Sequence, residues 1–406
     1  MGEWPLRTIG DLVTLQRGID LPEQNRVTGN IPIMGSFGIT GRHNVSACKG
    51  PGVTVGRSGA SAGTVCYIAE DFWPLNTCLY VRDFKGNDVL FTYHFLKTID
   101  LAGMNSGSAQ PSLNRNFVHP MPVRFPELRE QRTIAAILSA LDDKIELNRR
   151  MNETLEASAR ALFRDWFVDF GPTRAKAEGG PAYLAPDLWS LFPDCFDEDG
   201  VPQGWQTYTV EDLACQHTAS INPLKFESEP FEHFSLPAFD SGKNPVLEFG
   251  SSIKSNKTLV PNNAILLSKL NPEICRVWLP TKKDGVRQIA STEFLTFVAK
   301  SEVGRGVVFA LFLDPFFRQT LEGMVTGTSK SHQRISPPAL RSIAALRGNS
   351  KTFMMFAQAV DPLIEQMLLN RLESRTLAET RDALLPKLMS GTIRVRDAES
   401  AVAALC

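Results

Sequence analysis

From Ile134 onward, polar and apolar residues alternate with a fixed beat: Ile134, Leu138, Leu141, Ile145, Asn148, Asn152, Leu155, Ala159, Leu162 and Trp166 step by four and three. That is a heptad stripe, the pattern of helices that pack along one another as a coiled coil. It recurs 222 positions later as Phe356, Val360, Leu363, Met367, Asn370, Ser374, Leu377, Arg381, Leu384 and Leu388, with polar breaks in corresponding places. The surrounding text recurs too: LNRRMNETLEASARAL (147–162) is echoed by LNRLESRTLAETRDAL (369–384). The pattern therefore predicts two long helices sharing a seam. Asn148 and Asn370 on that seam cost stability but fix register, because polar groups inside an apolar stripe must meet each other. The pair Asp361-Pro362 suits a cap and a first helical position, and so predicts a helix start there, with 353–360 a separate turn or kinked segment. A helix from Ile134 to Trp166 is roughly 50 Å long at about 1.5 Å per residue, more than one turn of duplex DNA at about 34–36 Å.

The duplication extends beyond the helices. WPLRTIGDL (4–12) resembles WQTYTVEDL (205–213), and Ser106-Gly107-Ser108 echoes Thr326-Gly327-Thr328. Each of those triplets precedes an apolar segment, FVHPMPV at 117–123 and LRSIAAL at 340–346. The order is globular, helix, globular, helix. In the first globular half, 53–68 predicts two strands around a glycine-rich loop, 78–84 another strand, and 92–103 a short helix ending at Gly103. In the second, 263–280 predicts strand, loop, strand; 293–300 a strand; and 307–324 a helix. Without a regular strand–helix alternation the fold class is α+β and not doubly wound. Residues 170–186, rich in Gly, Pro and small residues, predict a linker.

Composition narrows this little. At 406 residues the chain needs more than one domain. Its net charge of −1 means that nucleic-acid binding must come from local patches. Seven scattered cysteines, never spaced as CxxC, point away from zinc or disulfides and toward a reducing cytoplasm. No signal peptide or apolar run long enough to cross a bilayer is visible.

Candidate chemistry is sparse. Gly56-Arg-Ser-Gly59-Ala-Ser-Ala-Gly63 has the glycines of a phosphate cradle, but a nucleotide loop feeds a helix N-terminus and here a strand pattern follows. A turn that brings Arg57, Ser58 and Ser61 toward DNA fits better. Asp194–Gly200 lacks the ligand spacing of a calcium loop and reads as a solvated acidic turn. Asn271-Pro-Glu-Ile274 lacks the aromatic residue of an adenine-methyltransferase signature, and no glycine-rich cofactor motif precedes it. The six histidines are dispersed, and no nucleophile or nuclease-like constellation stands out. The expectation is a non-catalytic chain with no metal and no cofactor of its own. Binding remains. Lys330-Ser-His332-Gln333-Arg334 is short, polar and basic, and Ser108-Ala-Gln110-Pro-Ser-Leu-Asn-Arg115 holds the corresponding place in the first half. Gln reads adenine and Arg reads guanine with paired hydrogen bonds, while Lys and Ser position the backbone. Lys254, Lys257, Lys269, Arg276, Lys282, Lys283 and Arg287 add positive charge to the second half.

These residues resemble a known family, the specificity (S) subunits of type I restriction-modification systems. ALDDKIELNRRMNETLEASARALFRDWFVDFGP (140–172) is similar to its central helical region and LFPDCFDEDGVPQGW (191–205) to its linker. AILLSKLNP (264–272) is similar to a strand-and-loop motif of its recognition domains, and TRDALLPKLMSGTIRV (380–395) to its C-terminal ending. The resemblance implies two target-recognition domains (1–126 and 205–348), each reading one half of a bipartite asymmetric site on double-stranded DNA. It implies long helices at 127–169 and 349–390 forming an antiparallel coiled coil that sets the unread gap, a linker at 170–204 and a tail at 391–406, with an internal pseudo-two-fold repeat. Two methyltransferase (M) subunits carrying S-adenosylmethionine would dock on the chain, and restriction (R) subunits with ATP and Mg would join them. Arg381, where the first helix has Ala159, departs from strict equivalence. The competing class is a scaffold whose coiled coil tethers two ligand-binding domains unrelated to DNA.

Overall fold

The structure, a computed structural model, describes residues 4–104, 112–282, 285–325, 333–393 and 395–398. It divides into two compact units, residues 1–146 with 376–406, and residues 147–375. The class is α+β: β-rich regions and two long helices, Leu128–Phe163 and Ser350–Met389. Each helix contributes residues to both units.

The repeated opening phrase builds the same local structure twice. In the first unit, strand Leu6–Thr8 runs into the one-turn helix Ile9–Leu12. The Thr8 hydroxyl accepts from the Asp11 amide at 3.2 Å and the Asp11 carboxylate from the Thr8 amide at 2.8 Å. In the second unit, Gln206–Thr209 runs into Val210–Leu213, and Thr209 and Asp212 exchange the same two bonds at 3.3 and 2.8 Å. Such reciprocal capping satisfies two amides that a helix start leaves open. The opening strands pair antiparallel with Pro122–Arg124 and Ala344–Gly348 respectively, the apolar segments singled out in the sequence.

The sheets repeat as well. One unit has a four-stranded antiparallel sheet in the order Thr14–Arg17, Cys78–Asp83, Gly52–Gly56, Val65–Ile68. The other has Ala214–His217, Phe294–Ala299, Ile265–Ser268, Val277–Trp278 in the same order of succession. A second sheet in each, three-stranded in the first unit and five-stranded in the other, holds a strand with one parallel and one antiparallel neighbour: Ile31–Gly35 between Trp73–Pro74 and Gly38–His43, and Pro230–Phe234 between Arg287–Ala290 and Val246–Phe249. The helix expected at 92–103 runs from Val89 to Lys97, because Asp88 accepts from the Phe91 amide and starts it earlier. The helix expected at 307–324 is two helices, Arg305–Leu313 and Pro315–Gly323. Pro315 ends the first, and Asp314 caps the second by accepting from the Phe316 and Phe317 amides.

The long helices pack antiparallel. In the second unit, Phe163 meets Phe356 with ring centroids 5.9 Å apart, and Asn152 Nδ2 donates to the Met367 carbonyl at 3.3 Å. In the first, Arg381 donates to Asp142 at 2.6 Å. Leu138, Leu141, Asn148, Val360, Met367, Asn370, Leu377 and Leu384 of the heptad stripe are buried. Ile145, Leu155, Leu162 and Leu363 are half-buried. At the end of the first helix the deep positions pass to Phe163, Trp166 and Phe167, where the last turn widens into a π-helical segment, Arg164–Val168. Apolar burial of this kind is worth about 1.5–3 kcal/mol per large side chain, so the seam joins each unit's core and is not a separate rod.

Two expectations need correction. Asp361-Pro362 does not start a helix: the second long helix runs through it from Ser350 without a break. Asp361 caps a different helix, its Oδ1 accepting from the Gly306 amide at 2.9 Å in the first turn of Arg305–Leu313. Residues 170–186 are not an irregular linker throughout, since Gly171–Ala177 is helical with Pro172 in its first turn. Phe170, Phe192 and Trp205 nearby join the aromatic cluster around Trp166 and Phe167. Asp194–Gly200 is a turn, the Asp197 carboxylate accepting from the Asp199 and Val201 amides.

The asparagines meet. Asn148 and Asn370, repeat mates 222 residues apart, touch through Asn148 Nδ2 and the Asn370 carbonyl at 3.4 Å. Asn148 Nδ2 also lies 3.3 Å from Ser374 Oγ, and Asn370 Nδ2 donates to Asn152 Oδ1 at 3.0 Å. Ser374 is the repeat mate of Asn152, so one bond is the image of the other. The helix pair has a local two-fold axis at this point. Glu373 reinforces one side, accepting from Asn148 at 2.7 Å.

Two measurements check this packing. Asn148→Ala is expected to lower unfolding stability by about 1–3 kcal/mol, the cost of stripping buried partners, whereas Leu147→Ala on the exposed face should cost under about 0.5 kcal/mol; equal losses in denaturant titrations would contradict the polar seam. His94 is buried, its Nδ1 is unpartnered, and burial pushes its pKa down to about 4, against the pull of Asp142 and Asp88. The unfolded chain therefore takes up a proton before the folded chain does. Stability should fall as pH drops from about 6.5 toward 4, by up to about 3 kcal/mol at about 1.4 kcal/mol per unit. His94→Leu should remove that part of the slope, and an unchanged slope would refute the assignment.

Candidate nucleic-acid interface

The glycine-rich stretch of the first unit leaves the strand Gly52–Gly56, turns through one 3-10 turn at Gly59–Ser61 and re-enters a strand at Val65. Gly56 is obligatory, because an added Cβ would lie 2.2 Å from the Ser61 carbonyl oxygen and 2.3 Å from that of Ser36. No helix N-terminus follows, so the geometry is a strand-to-strand turn and not a phosphate cradle. Arg57 is held through its backbone: its amide donates to the Thr77 carbonyl at 2.9 Å, and its carbonyl accepts from the Leu113 amide at 2.8 Å. Its guanidinium donates to the Asn76 carbonyl at 3.3 Å. Ser58 bridges Ser112, and Arg57, Ser58 and Ser61 are all half-buried.

The second unit repeats this arrangement with different residues. The Lys269 carbonyl accepts from the Ile335 amide at 3.0 Å, Leu270 bridges Arg334, and the Asn271 amide donates to the Gln333 carbonyl at 3.0 Å. Leu113 and Ile335 are repeat mates. In each unit, then, the turn after the central strand is tied to the segment that the sequence had singled out independently. Arg57 and Ser58 are brought beside Ser112, and Lys269 beside Gln333 and Arg334. Ser108, Gln110, Lys330 and His332 lie outside the described residues. Arg115 is exposed in the turn Arg115–Val118, capped by Asn114.

The electrostatics of the second unit differ from what charge counting suggests. Arg334 makes a two-pronged contact with Glu293 at 3.0 and 3.1 Å, which holds its pKa above the ordinary value. Arg276 is forked by Asp240 at 2.8 and 2.9 Å, and Arg287 by Glu229. Arg287 also lies over Phe226, 4.1 Å from the ring centroid. Lys257 is buried and donates to Ser255 Oγ at 2.6 Å. Side-chain exposure separates these cations: 10% for Arg276, against 38% for Arg287 and 43% for Arg334. Arg276 and Lys257 are therefore structural. Arg287 and Arg334 are pre-oriented by carboxylates with their outer edges reachable. The carboxylates Glu229, Asp240 and Glu293 escaped sequence reasoning, since nothing in their local sequence marks them as partners of distant arginines. A cavity of about 290 Å³ beside Gln333 is lined, among the described residues, also by Pro272, Glu273, Glu322 and Val325.

Among the described residues, no group of three or more His, Cys, Asp or Glu could hold a metal, and no helix is long and apolar enough to cross a membrane. The architecture so far defines a class: a duplicated binding protein with matched polar loops in each half. Comparison with known proteins specifies it. The type I restriction modification DNA specificity domain matches residues 1–157. The HindI specificity subunit of Haemophilus influenzae is 25% identical over 382 residues, covering 80% of this chain and 82% of that protein. The MjaIX specificity subunit of Methanocaldococcus jannaschii is 25% identical over 356 residues, covering 83% and 77%. The fold is similar to the crystal structure of a type I S subunit from M. genitalium, with a TM-score of 0.57 at 16% identity over 95% of this chain and 96% of that one. The chain is thus similar over most of its length to specificity subunits of type I restriction enzymes, and its first 157 residues match their DNA specificity domain.

Gln333→Ala or Arg334→Ala is expected to weaken reading of one half-site only, by about 1–3 kcal/mol if the side chain contacts a base. Methylation rates on duplexes altered in one half-site at a time check this, and unchanged rates would remove the loop from the interface.

Proposed function

We propose that each β-rich region, residues 1–126 and 205–348, reads one half of a bipartite, asymmetric site on double-stranded DNA. The long helices, 127–169 and 349–390, set the length of the unread gap. The observation that carries this reading is the duplicated tie between loops, Leu113 to Arg57 and Ile335 to Lys269. Two copies of one loop arrangement suit two separate contacts with one duplex. The reading loops are those bearing Arg57, Ser58, Ser61, Ser108, Gln110 and Arg115 in one half, and Lys269, Lys330, His332, Gln333 and Arg334 in the other. Arginines already aligned by Glu293 and Glu229 lose less side-chain freedom on meeting a base or phosphate than free ones would.

Two methyltransferase subunits dock on the helices in this account, and restriction subunits join them. S-adenosylmethionine, ATP and Mg belong to those partners. In this reading the chain contributes no catalytic group, and its part in the reaction is choice of address. Because phosphate contacts release counterions, binding of the complex to DNA should weaken steeply with salt.

One heptad inserted at matched places in both long helices adds roughly 10 Å of helix, two or three base pairs at about 3.4 Å each. The methylated motif should keep both half-sites and lengthen its gap. An unchanged gap would refute the spacing role.

A further inference from the structure

In the second β-rich region, a carboxylate is buried against the second long helix. Glu232, on the strand Pro230–Phe234, is 2% exposed. Its Oε1 accepts from Arg375 Nη1 at 3.0 Å and its Oε2 from Gln288 Nε2 at 2.6 Å. Gln288 also donates to the Thr281 carbonyl at 2.5 Å, so the carboxylate is clamped from the neighbouring strand as well. One turn along the same helix, Arg371 Nη1 approaches the Leu279 carbonyl at 3.5 Å. Lys243 lies 3.9 Å from Glu156 on the other long helix. Charged, directional contacts thus fasten this region to both helices, where apolar packing could have done so.

Stability does not explain that choice. Removing two charges from water costs about as much as their attraction returns, and well-packed apolar replacements of buried ion pairs are often as stable or more so. An ion pair differs from apolar packing in demanding one geometry. The repeat places Glu153, engaged with Arg149, at the position of Arg375, so the device belongs to the second half.

We propose that Glu232 and Arg375 are positioning residues that fix the angle at which the second recognition region is held on the helix pair, and so sharpen the chain's choice of a single gap length between half-sites. This rests on the spacing role proposed above. A region free to tilt on its helix would reach half-sites one base pair nearer or farther; a region pinned by a clamped carboxylate would not. Neither residue belongs to the loops tied to Lys269, so the bases read should stay the same.

The test expresses the full chain with its methyltransferase partner in a host and maps methylated adenines across the genome. The unaltered chain is compared with Arg375→Met and with the neutral pair Glu232→Gln/Arg375→Met, in which no buried charge is stranded. The expected result is one gap length for the unaltered chain. For the neutral pair, both half-sites should be unchanged, the thermal midpoint should lie within a few degrees, and the fraction of methylated sites with a gap one base pair longer or shorter should rise at least tenfold. The neutral pair would overturn the proposal if it kept a single gap length, or if it lost methylation together with its thermal midpoint, since the ion pair would then serve stability alone. An unaltered chain that itself methylates several gap lengths would instead overturn the spacing role, and this inference with it.

Discussion

The structure depends on one constraint: two helices distant in sequence must meet in a single antiparallel register. Hydrophobic contact alone does not fix this, because a heptad stripe can slide by one repeat and still bury similar area. The asparagines remove that freedom. Asn148 and Asn370 are buried, and a slipped seam would leave their amides facing apolar side chains, at the cost of unpaired buried polar groups. In register, Asn148 reaches Ser374 and Asn370 reaches Asn152, each bond the image of the other. The duplication of the sequence thereby becomes a local symmetry of the helix pair.

Departures from symmetry are informative. Arg381 pairs with Asp142 in the first unit, while their repeat mates, Ala159 and Ile364, are both buried in the core of the second. An ion pair in one half has become apolar contact in the other without disturbing either helix. The same tolerance shows in the recognition regions. The opening capping boxes and the strand order of the four-stranded sheets are kept, while the turns after the central strands carry Arg57 in one half and Lys269 in the other. A frame that holds its shape while its loops vary suits the proposed reading of two different half-sites.

Much of this was legible in the sequence because it depends on short-range pattern. Heptad spacing revealed both helices, and the paired asparagines marked their register. The phrase TIGD against TVED encodes two identical capping boxes, and the strands around 53–68 and 263–280 follow from β-branched runs punctuated by glycine or proline. What escaped depends on distant partners. Asp361 reads locally as a cap for its own helix, yet its acceptor capacity is used by Gly306 in another helix. Arg276, Arg287 and Arg334 read as free positive charge, and only the fold brings Asp240, Glu229 and Glu293 against them. Gly171–Ala177 reads as linker by composition, although aromatic packing on either side holds it as a helix.

The methylation pattern of a host producing this chain tests the proposed half-site reading most directly. Long-read mapping of methylated adenines in a host producing it with its methyltransferase partner should return one asymmetric motif of two short blocks, separated by a constant stretch of unread bases. A single uninterrupted motif, or two blocks at freely varying separation, would contradict it.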